Sequence, residues 1–375
     1  MILRYLFCII ISLFLLLPFP ALADNLSDLK EMVLRQQREI EALSQKVEDI
    51  KDDSESRFGW NLGLLGDVNY STISRERERG SFYIGELVLF STGSYGERLT
   101  FLAEIAFEQE EREADIERVW AGYTVNDLLT VRAGKFHTAL GYWNKAYHHG
   151  KQFFHTVDRP FFLAFEHDGG VVPTHITGVE MEGSGATGVG RFKYELQLGN
   201  GPVLLEEESH NILDPNDTSD DNNAKQPALR VSLRPSAIQG LSAGLFATTY
   251  EVDTPTRKGV EETIYGIDLS YSREGLEIIS EVFLFRNPDG DGNAFYAQLA
   301  YLYDPWIPYI RFERLDAERG DPYFDGFEGG MDRSQTIAGL RYDIDPVTSS
   351  LKFQYRRDDG NRDYDVFEAQ WAFHF

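Results

Sequence analysis

The sequence predicts an all-β transmembrane barrel of sixteen antiparallel strands preceded by a short α-helical coiled coil. Three observations carry this expectation. The last thirteen residues alternate, with Phe367, Ala369, Trp371, Phe373 and Phe375 on one face and Glu368, Gln370, Ala372 and His374 on the other, the period of a strand with one apolar face. Fifteen further segments carry strand patterns, most of them with the same alternation, and together they make the even number that bacterial single-chain barrels have. The connections between them alternate short and long, as turns at one membrane face and loops at the other would. An aromatic strand ending the chain would be an aggregating edge in an open sheet. A closed barrel removes that edge and turns the apolar face to lipid.

Residues 1–23 read as a secretory signal peptide, with Arg4 before an apolar run and Ala21 and Ala23 framing a small-residue cleavage site. The run is short and no stop-transfer flank follows, which sets aside a permanent anchor. The only cysteine, Cys8, lies inside this segment. The exported chain would therefore hold no disulfide, thiolate ligand or cysteine nucleophile. No later stretch has eighteen consecutive apolar residues, so helical membrane spans are not expected. The formal charge of −25, from 36 Lys and Arg against 61 Asp and Glu, argues against nucleic-acid binding.

Residues 24–57 read as a periplasmic coiled coil and hinge. Leu26, Leu29, Val33, Gln36, Ile40, Leu43, Val47 and Ile50 recur at steps of three and four, an a/d seam of over three heptads. A lone helix of this length is marginal and needs a partner. A parallel bundle of three copies is expected, with a dimer or packing on the barrel as alternatives.

From Phe58 onward, strands are expected near 58–70, 80–91, 98–109, 115–125, 128–137, 174–183, 188–199, 227–235, 239–250, 261–271, 275–286, 293–303, 305–315, 333–343, 348–357 and 363–375. Leu229, Val231 and Leu233 oppose Arg230, Ser232 and Arg234, and Leu351, Phe353 and Tyr355 oppose Lys352, Gln354 and Arg356. The polar set suits a wet lumen and not a packed core. The strands near 80–91 and 275–286 carry apolar residues on both faces and do not assign themselves by alternation.

Carried round the wall, the pattern places Arg118, Arg132, Arg191, Lys193, Arg230, Arg234, Arg311, Arg341, Lys352 and Arg356 in the lumen, with Glu104, Glu180, Glu182, Glu195, Asp268, Glu281, Glu313 and Glu368 among the opposing acids. Opposed charges can orient a passing solute without binding it tightly; they can equally pair with one another and keep the wall wet. The longest connection, 138–173, is unusually aromatic for a water-facing loop. Tyr142, Trp143, Tyr147, Phe153, Phe154, Phe161, Phe162 and Phe165 would pack it on the inner wall, leaving Lys145, Lys151, Asp158, Arg159, Glu166 and Asp168 to line a constriction. His137, His148, His149, His155, His167 and His175 lie in or beside this loop. Their spacing matches no metal motif, and pore-lining or loop-packing roles that titrate near neutrality are expected instead. The acidic stretches 108–115, 206–221 and 325–332 would concentrate cations at the mouth.

The terminal strand ending in Phe375 resembles the assembly signal of bacterial outer-membrane proteins, which implies the barrel-assembly machinery as a partner. The whole organisation, with the segment VRAGKF at 131–136 followed by Gly141, resembles trimeric porins with an N-terminal periplasmic coiled coil, near the phosphate-selective porin O and P family and the dicarboxylate porins. That resemblance implies a homotrimer in outer-membrane lipid that passes small polar or charged solutes by diffusion, without a cofactor. The alternatives are an outer-membrane hydrolase and a structural tether or adhesin. Neither G-x-S-x-G nor H-E-x-x-H occurs, and a tether leaves the inward charges unexplained.

Overall fold

The computed structural model describes residues 58–375 apart from 74–79, 109–113, 148–149, 152, 166–168, 207–210, 216–223, 254–257, 319, 322, 325–331 and 361–362. The expected signal peptide and coiled coil lie outside the described residues.

Sixteen antiparallel strands close into a barrel. They are β1 (Phe58–Ile73), β2 (Ser81–Tyr95), β3 (Leu99–Glu108), β4 (Ala114–Asn126), β5 (Leu129–His137), β6 (His175–Thr187), β7 (Gly190–Asn200), β10 (Lys225–Pro235), β11 (Leu241–Val252), β12 (Val260–Arg273), β13 (Leu276–Asn287), β14 (Gly290–Tyr301), β15 (Trp306–Ala317), β16 (Asp332–Asp345), β17 (Ser349–Asp359) and β18 (Tyr364–His374). Every expected strand is present, with ends within four residues of expectation. Two further short strands, β8 (Val203–Glu206) and β9 (Asn211–Asp214), form a hairpin inside the 200–226 connection. That hairpin was not expected; it forms because Leu204, Ile212 and Leu213 are buried.

The terminal strand closes the ring. Trp371 stands opposite Val68 and Gln370 opposite Asn69, and Leu64 and Phe375 exchange both backbone hydrogen bonds at 2.9 Å. The barrel wall itself thus has no open edge. Phe367, Trp371 and Phe375 are exposed on the outside, whereas Glu368 and Gln370 are buried inside. Aromatic rings gather in two outer bands. At the short-turn end lie Phe58, Trp60 and Phe101, with Trp306 on Tyr342 at 4.7 Å; at the long-loop end Tyr70 meets Phe82 at 4.8 Å and Tyr355 meets Phe367 at 5.1 Å. Such girdles mark the two interfaces of a membrane barrel.

Both strands that resisted alternation have a physical reason. In β2 the register against β1 slips between Gly66 and Val68, so that Asp67 faces both Gly85 and Glu86. This bulge reverses the phase: Phe82 and Ile84 point outward before it, Leu87 and Leu89 after it. Bulges re-aim side chains in this way. Here the residue re-aimed is Glu86, whose N–H donates to Asp67 Oδ1 at 3.1 Å. A Cβ on Gly85 would lie 2.2 Å from Asp67 Oδ2, so only glycine fits there. In β13 the inward residues Ile279, Phe283 and Phe285 are buried, Phe283 against Phe162 of the long loop and Phe285 against Phe324, while Ile278, Val282 and Leu284 form the outer face. Both faces are apolar because both are covered, one by protein and one by lipid. The expectation of a polar, wet lumen does not hold over β11–β14, where Phe246, Tyr250, Ile264, Phe283 and Tyr296 line the inside and are buried.

Candidate functional site

The connection between β5 and β6 folds into the barrel and crosses it. Its root is stitched shut: the Thr138 N–H donates to the Thr174 carbonyl at 2.9 Å, and Asn144 Nδ2 donates to the carbonyls of Thr138 and Thr174. Gly141 then turns the chain at φ +73°, where a Cβ would lie 1.9 Å from Glu281 Oε2. That left-handed step, cheap only for glycine, aims the N–H groups of Tyr142 and Trp143 at Glu281, 3.0 and 2.8 Å away. A one-turn helix, Trp143–Ala146, follows, and later a 3-10 turn, Phe161–Leu163.

Aromatic packing holds the loop against one sector of the wall. Trp143 meets Tyr296 at 5.8 Å and Phe162 meets Phe283 at 5.5 Å, in a cluster that also contains Phe154, Leu163 and Phe246. Each such ring stabilises the docked loop by about 1.5–3 kcal/mol through area removed from water. Of the aromatics expected to pack inward, Phe153 remains 47% exposed, near the His374 ring.

The predicted lumen residues separate into groups. Arg311, Glu313, Arg341 and Lys352 are buried under the loop and hold its backbone. Arg311 donates to Thr156 Oγ1 at 2.9 Å and to the carbonyls of Asp158 and Arg159 at 2.9 and 3.0 Å, and pairs with Glu313 at 3.1 Å. Glu313 accepts the Phe161 N–H at 2.8 Å. Lys352 donates to the carbonyls of Lys151 and Thr156, and Arg341 to that of Phe154. These side chains donate to the loop carbonyls in place of water.

A second group forms an ion-pair ladder along β3–β12. Arg118 pairs with Glu104 at 2.5 Å, Arg132 with Glu180 at 2.6 Å and with Glu182, Lys193 with Glu182 and Glu195 at 3.2 Å, and Arg230 with Asp268 at 2.7 Å. Arg118 faces inward beside Glu117 because the register slips between Glu104 and Ile105. Lys145 joins this ladder, 3.3 Å from Glu180 and 3.0 Å from Glu195. Burial would lower its pKa, but the attraction of Glu195 and Glu180 wins and raises it. Arg191 and Arg234 are opposite one another near the short-turn end, both exposed. Glu166 and Asp168 lie outside the described residues.

Lys151, Asp158, Arg159 and Arg356 meet at a cavity of about 240 Å³ between the loop and the wall. Two residues that the strand pattern did not single out complete it: Glu86, delivered by the β2 bulge, and Arg333 on β16. Arg333 has the parity of Arg341, and that spacing was its signal. Lys151 stands 3.7 Å from Asp67 and 3.8 Å from Glu86, too far for tight hydrogen bonds. Burial would lower its pKa; Asp67, Glu86 and Asp158 outweigh that and raise it well above the ordinary lysine value. Arg356 pairs with Glu368 at 3.2 Å and Arg333 with Asp358 at 2.6 Å. The guanidinium of Arg333 lies over Phe161 at 4.7 Å and that of Arg159 over Phe165 at 4.3 Å, stacks that fix otherwise flexible cations. Of the described loop histidines, His155 lies 2.7 Å from Glu277 and His175 3.1 Å from Glu117, and the His137 ring meets that of His175 at 5.8 Å.

A closed barrel wall, two aromatic girdles and an inward loop with a charged cavity beside it define the architecture of a membrane-type β-barrel with an internal loop. Neither a protein-family model nor a curated protein sequence matches the chain. Solved structures do. The Salmonella typhi OmpF complex with daunomycin is 10% identical, with a TM-score of 0.58 over 84% of this chain and 97% of that one. The anion-selective porin from Comamonas acidovorans is 11% identical, with a TM-score of 0.57 over 85% and 100%. The trimer form of OmpT, an outer membrane protein of Vibrio cholerae, is 11% identical, with a TM-score of 0.56 over 85% and 99%. The chain shares the sixteen-strand fold of bacterial outer-membrane porins.

Proposed function

We propose that the protein is a passive diffusion channel of the bacterial outer membrane for small hydrophilic, charged solutes. The observation that carries this reading is the loop folded across the barrel, leaving a gap with Lys151, Arg159, Arg333 and Arg356 set against Glu86 and Asp158. Fixed charges of both signs in a narrow aqueous passage replace part of a solute's hydration and orient its dipole. The ion-pair ladder of Arg118, Arg132, Lys193 and Arg230 keeps the rest of the wall wet, and Arg191 and Arg234 add positive charge at the exit. No chemical step is involved, so no cofactor is invoked.

The long loops would face outward and the short turns the periplasm. A coiled coil over 24–57 would then lie in the periplasm and hold three barrels together; the trimer form of the Vibrio cholerae protein supports that arrangement. The segment 131–136, at the end of β5 just before the inward turn at Gly141, supports placement near the phosphate-selective and dicarboxylate porins. The strand ending at Phe375 would be read by the barrel-assembly machinery.

Single-channel recording of the purified protein in a planar bilayer under a salt gradient tests the reading. Three conductance steps per insertion with a defined reversal potential are expected. Silence from folded, inserted protein would refute a channel.

A further inference from the structure

Two carboxylates at the long-loop end of the lumen differ from the rest. Glu262, near the start of β12, and Asp321, between β15 and β16, are 0% and 1% exposed. One amide stands between them: Asn287 Nδ2 donates to Glu262 Oε2 at 3.0 Å and to Asp321 Oδ1 at 2.8 Å. Asp321 Oδ1 also accepts the Tyr323 N–H at 2.9 Å. Their remaining oxygens, Glu262 Oε1 and Asp321 Oδ2, have no hydrogen-bond donor. Oδ2 lies over Gly290, where a Cβ would come within 2.7 Å of it, so the chain keeps that side open.

Elsewhere among the described residues, buried carboxylates are compensated. Glu313 has Arg311, Glu195 has Lys145 and Arg230, and Asp358 has Arg333. Glu281 lacks a cation but accepts from two N–H groups and the Tyr296 hydroxyl. Glu262 accepts from Asn287 and from the Arg286 backbone N–H, and Asp321 from Asn287 and the Tyr323 N–H, but neither has an ion pair and each keeps one oxygen without a donor. Two adjacent buried carboxylates in this condition demand a positive charge.

We propose that Glu262 and Asp321 bind a hard divalent cation, calcium or magnesium, which pins Asp321, and with it Tyr323 and Phe324, to the barrel rim. Two carboxylates balance one divalent charge, and their oxygens are the donors such cations prefer, with water completing the shell. Two other stretches, 206–221 and 325–332, are strongly acidic in sequence, and such charge raises the local concentration of cations. The pinned segment matters to the lumen. Tyr323 donates to the Val171 carbonyl of the inward loop at 2.6 Å and accepts from the Tyr250 hydroxyl at 2.8 Å, and Phe324 packs on Phe285 at 5.1 Å. The cation would therefore fasten the cover over the apolar half of the lumen.

The test uses the full chain in detergent, stripped with chelator and titrated with calcium chloride and, separately, magnesium chloride. Terbium luminescence excited through tyrosine reads occupancy near Tyr250 and Tyr323. One saturable site per chain is expected, weakened about tenfold or more by Glu262→Gln or Asp321→Asn; Asp321 lies outside the strands, so its variant keeps the test valid if the Glu262 variant fails to fold. Calcium should protect the chain at Tyr323 and Phe324 from chymotrypsin in the parent chain and not in the variants. Binding and protection unchanged in folded variants would overturn the proposal by placing the cation elsewhere. Stabilisation by acid and not by either cation would overturn it in favour of a shared proton.

Discussion

Arg311 is the residue whose loss should be most visible, because one guanidinium carries several connections between wall and loop. It is buried together with Glu313, 3.1 Å away, and it satisfies Thr156 Oγ1 and the carbonyls of Asp158 and Arg159. Arg311→Met leaves a buried carboxylate without its cation, a change that costs about 3–5 kcal/mol. The abandoned carbonyls would add about 1–3 kcal/mol each if water did not reach them. Those costs fall on the docked state, since an undocked loop hydrates its own carbonyls. At about 1.4 kcal/mol per tenfold, the lower figure alone raises the undocked population roughly a hundredfold. Single-channel traces should show a larger and noisier conductance, and trypsin should gain access to Lys151. Replacing Glu313 as well, by Leu, removes the stranded charge and should recover part of the loss. A single Arg311→Met variant with parental conductance, noise and trypsin pattern would refute the anchoring role.

Three further outcomes follow from the same geometry. Glu86→Gln should shift the reversal potential toward anions and Arg356→Gln toward cations; a charge at about 4 Å in water is worth about 1 kcal/mol, roughly fivefold in ion partition. Equal shifts of one sign would contradict the opposed lining. Lys145 and Lys151 have pKa values raised by folding, so their stabilisation is complete below the unfolded value of about 10.4 and is lost as pH rises through the higher folded values. Unfolding midpoints followed by circular dichroism should show their contribution steady from neutral pH to about 10, and Lys145→Met with Lys151→Met should abolish the alkaline fall. Trp143→Ala, at the centre of the loop's aromatic cluster, should cost about 3–5 kcal/mol, read from denaturant midpoints of the refolded barrel.

The wall of this barrel was legible wherever one face meets lipid and the other water, because that contrast writes itself into every second residue. Arg230 and Leu229 need no further context. Legibility ended where a third body intrudes. Arg311 and Lys352 have the right parity for a lumen, but parity does not say that a loop will bury them; that depends on Glu281, about 140 residues from Gly141, receiving its two N–H groups. Glu86 was hidden by one inserted residue, and its only trace in the sequence is Gly85. The aliphatic residues of the β8–β9 hairpin are masked in the sequence by acidic neighbours, although Leu204 and Leu213 are buried.

The doubly apolar β13 has a consequence for how the barrel is put together. An ordinary wall strand cannot slip by one residue, since the slip would exchange its wet and greasy sides. In β13 the exchange would replace Ile279, Phe283 and Phe285 by Ile278, Val282 and Leu284, a nearly even trade. What breaks the tie is the sparse polar set: Glu277, Glu281 and Asn287 would be turned to the hydrocarbon, and Arg286 drawn inside. Exposing charge to lipid is costly at depth and cheap near the interface, so Glu281 in the strand's middle does most of the discrimination. The residue that receives the loop is thus also the one that keeps its strand in step, and a chain lacking it would risk misthreading before the loop ever had a place to dock.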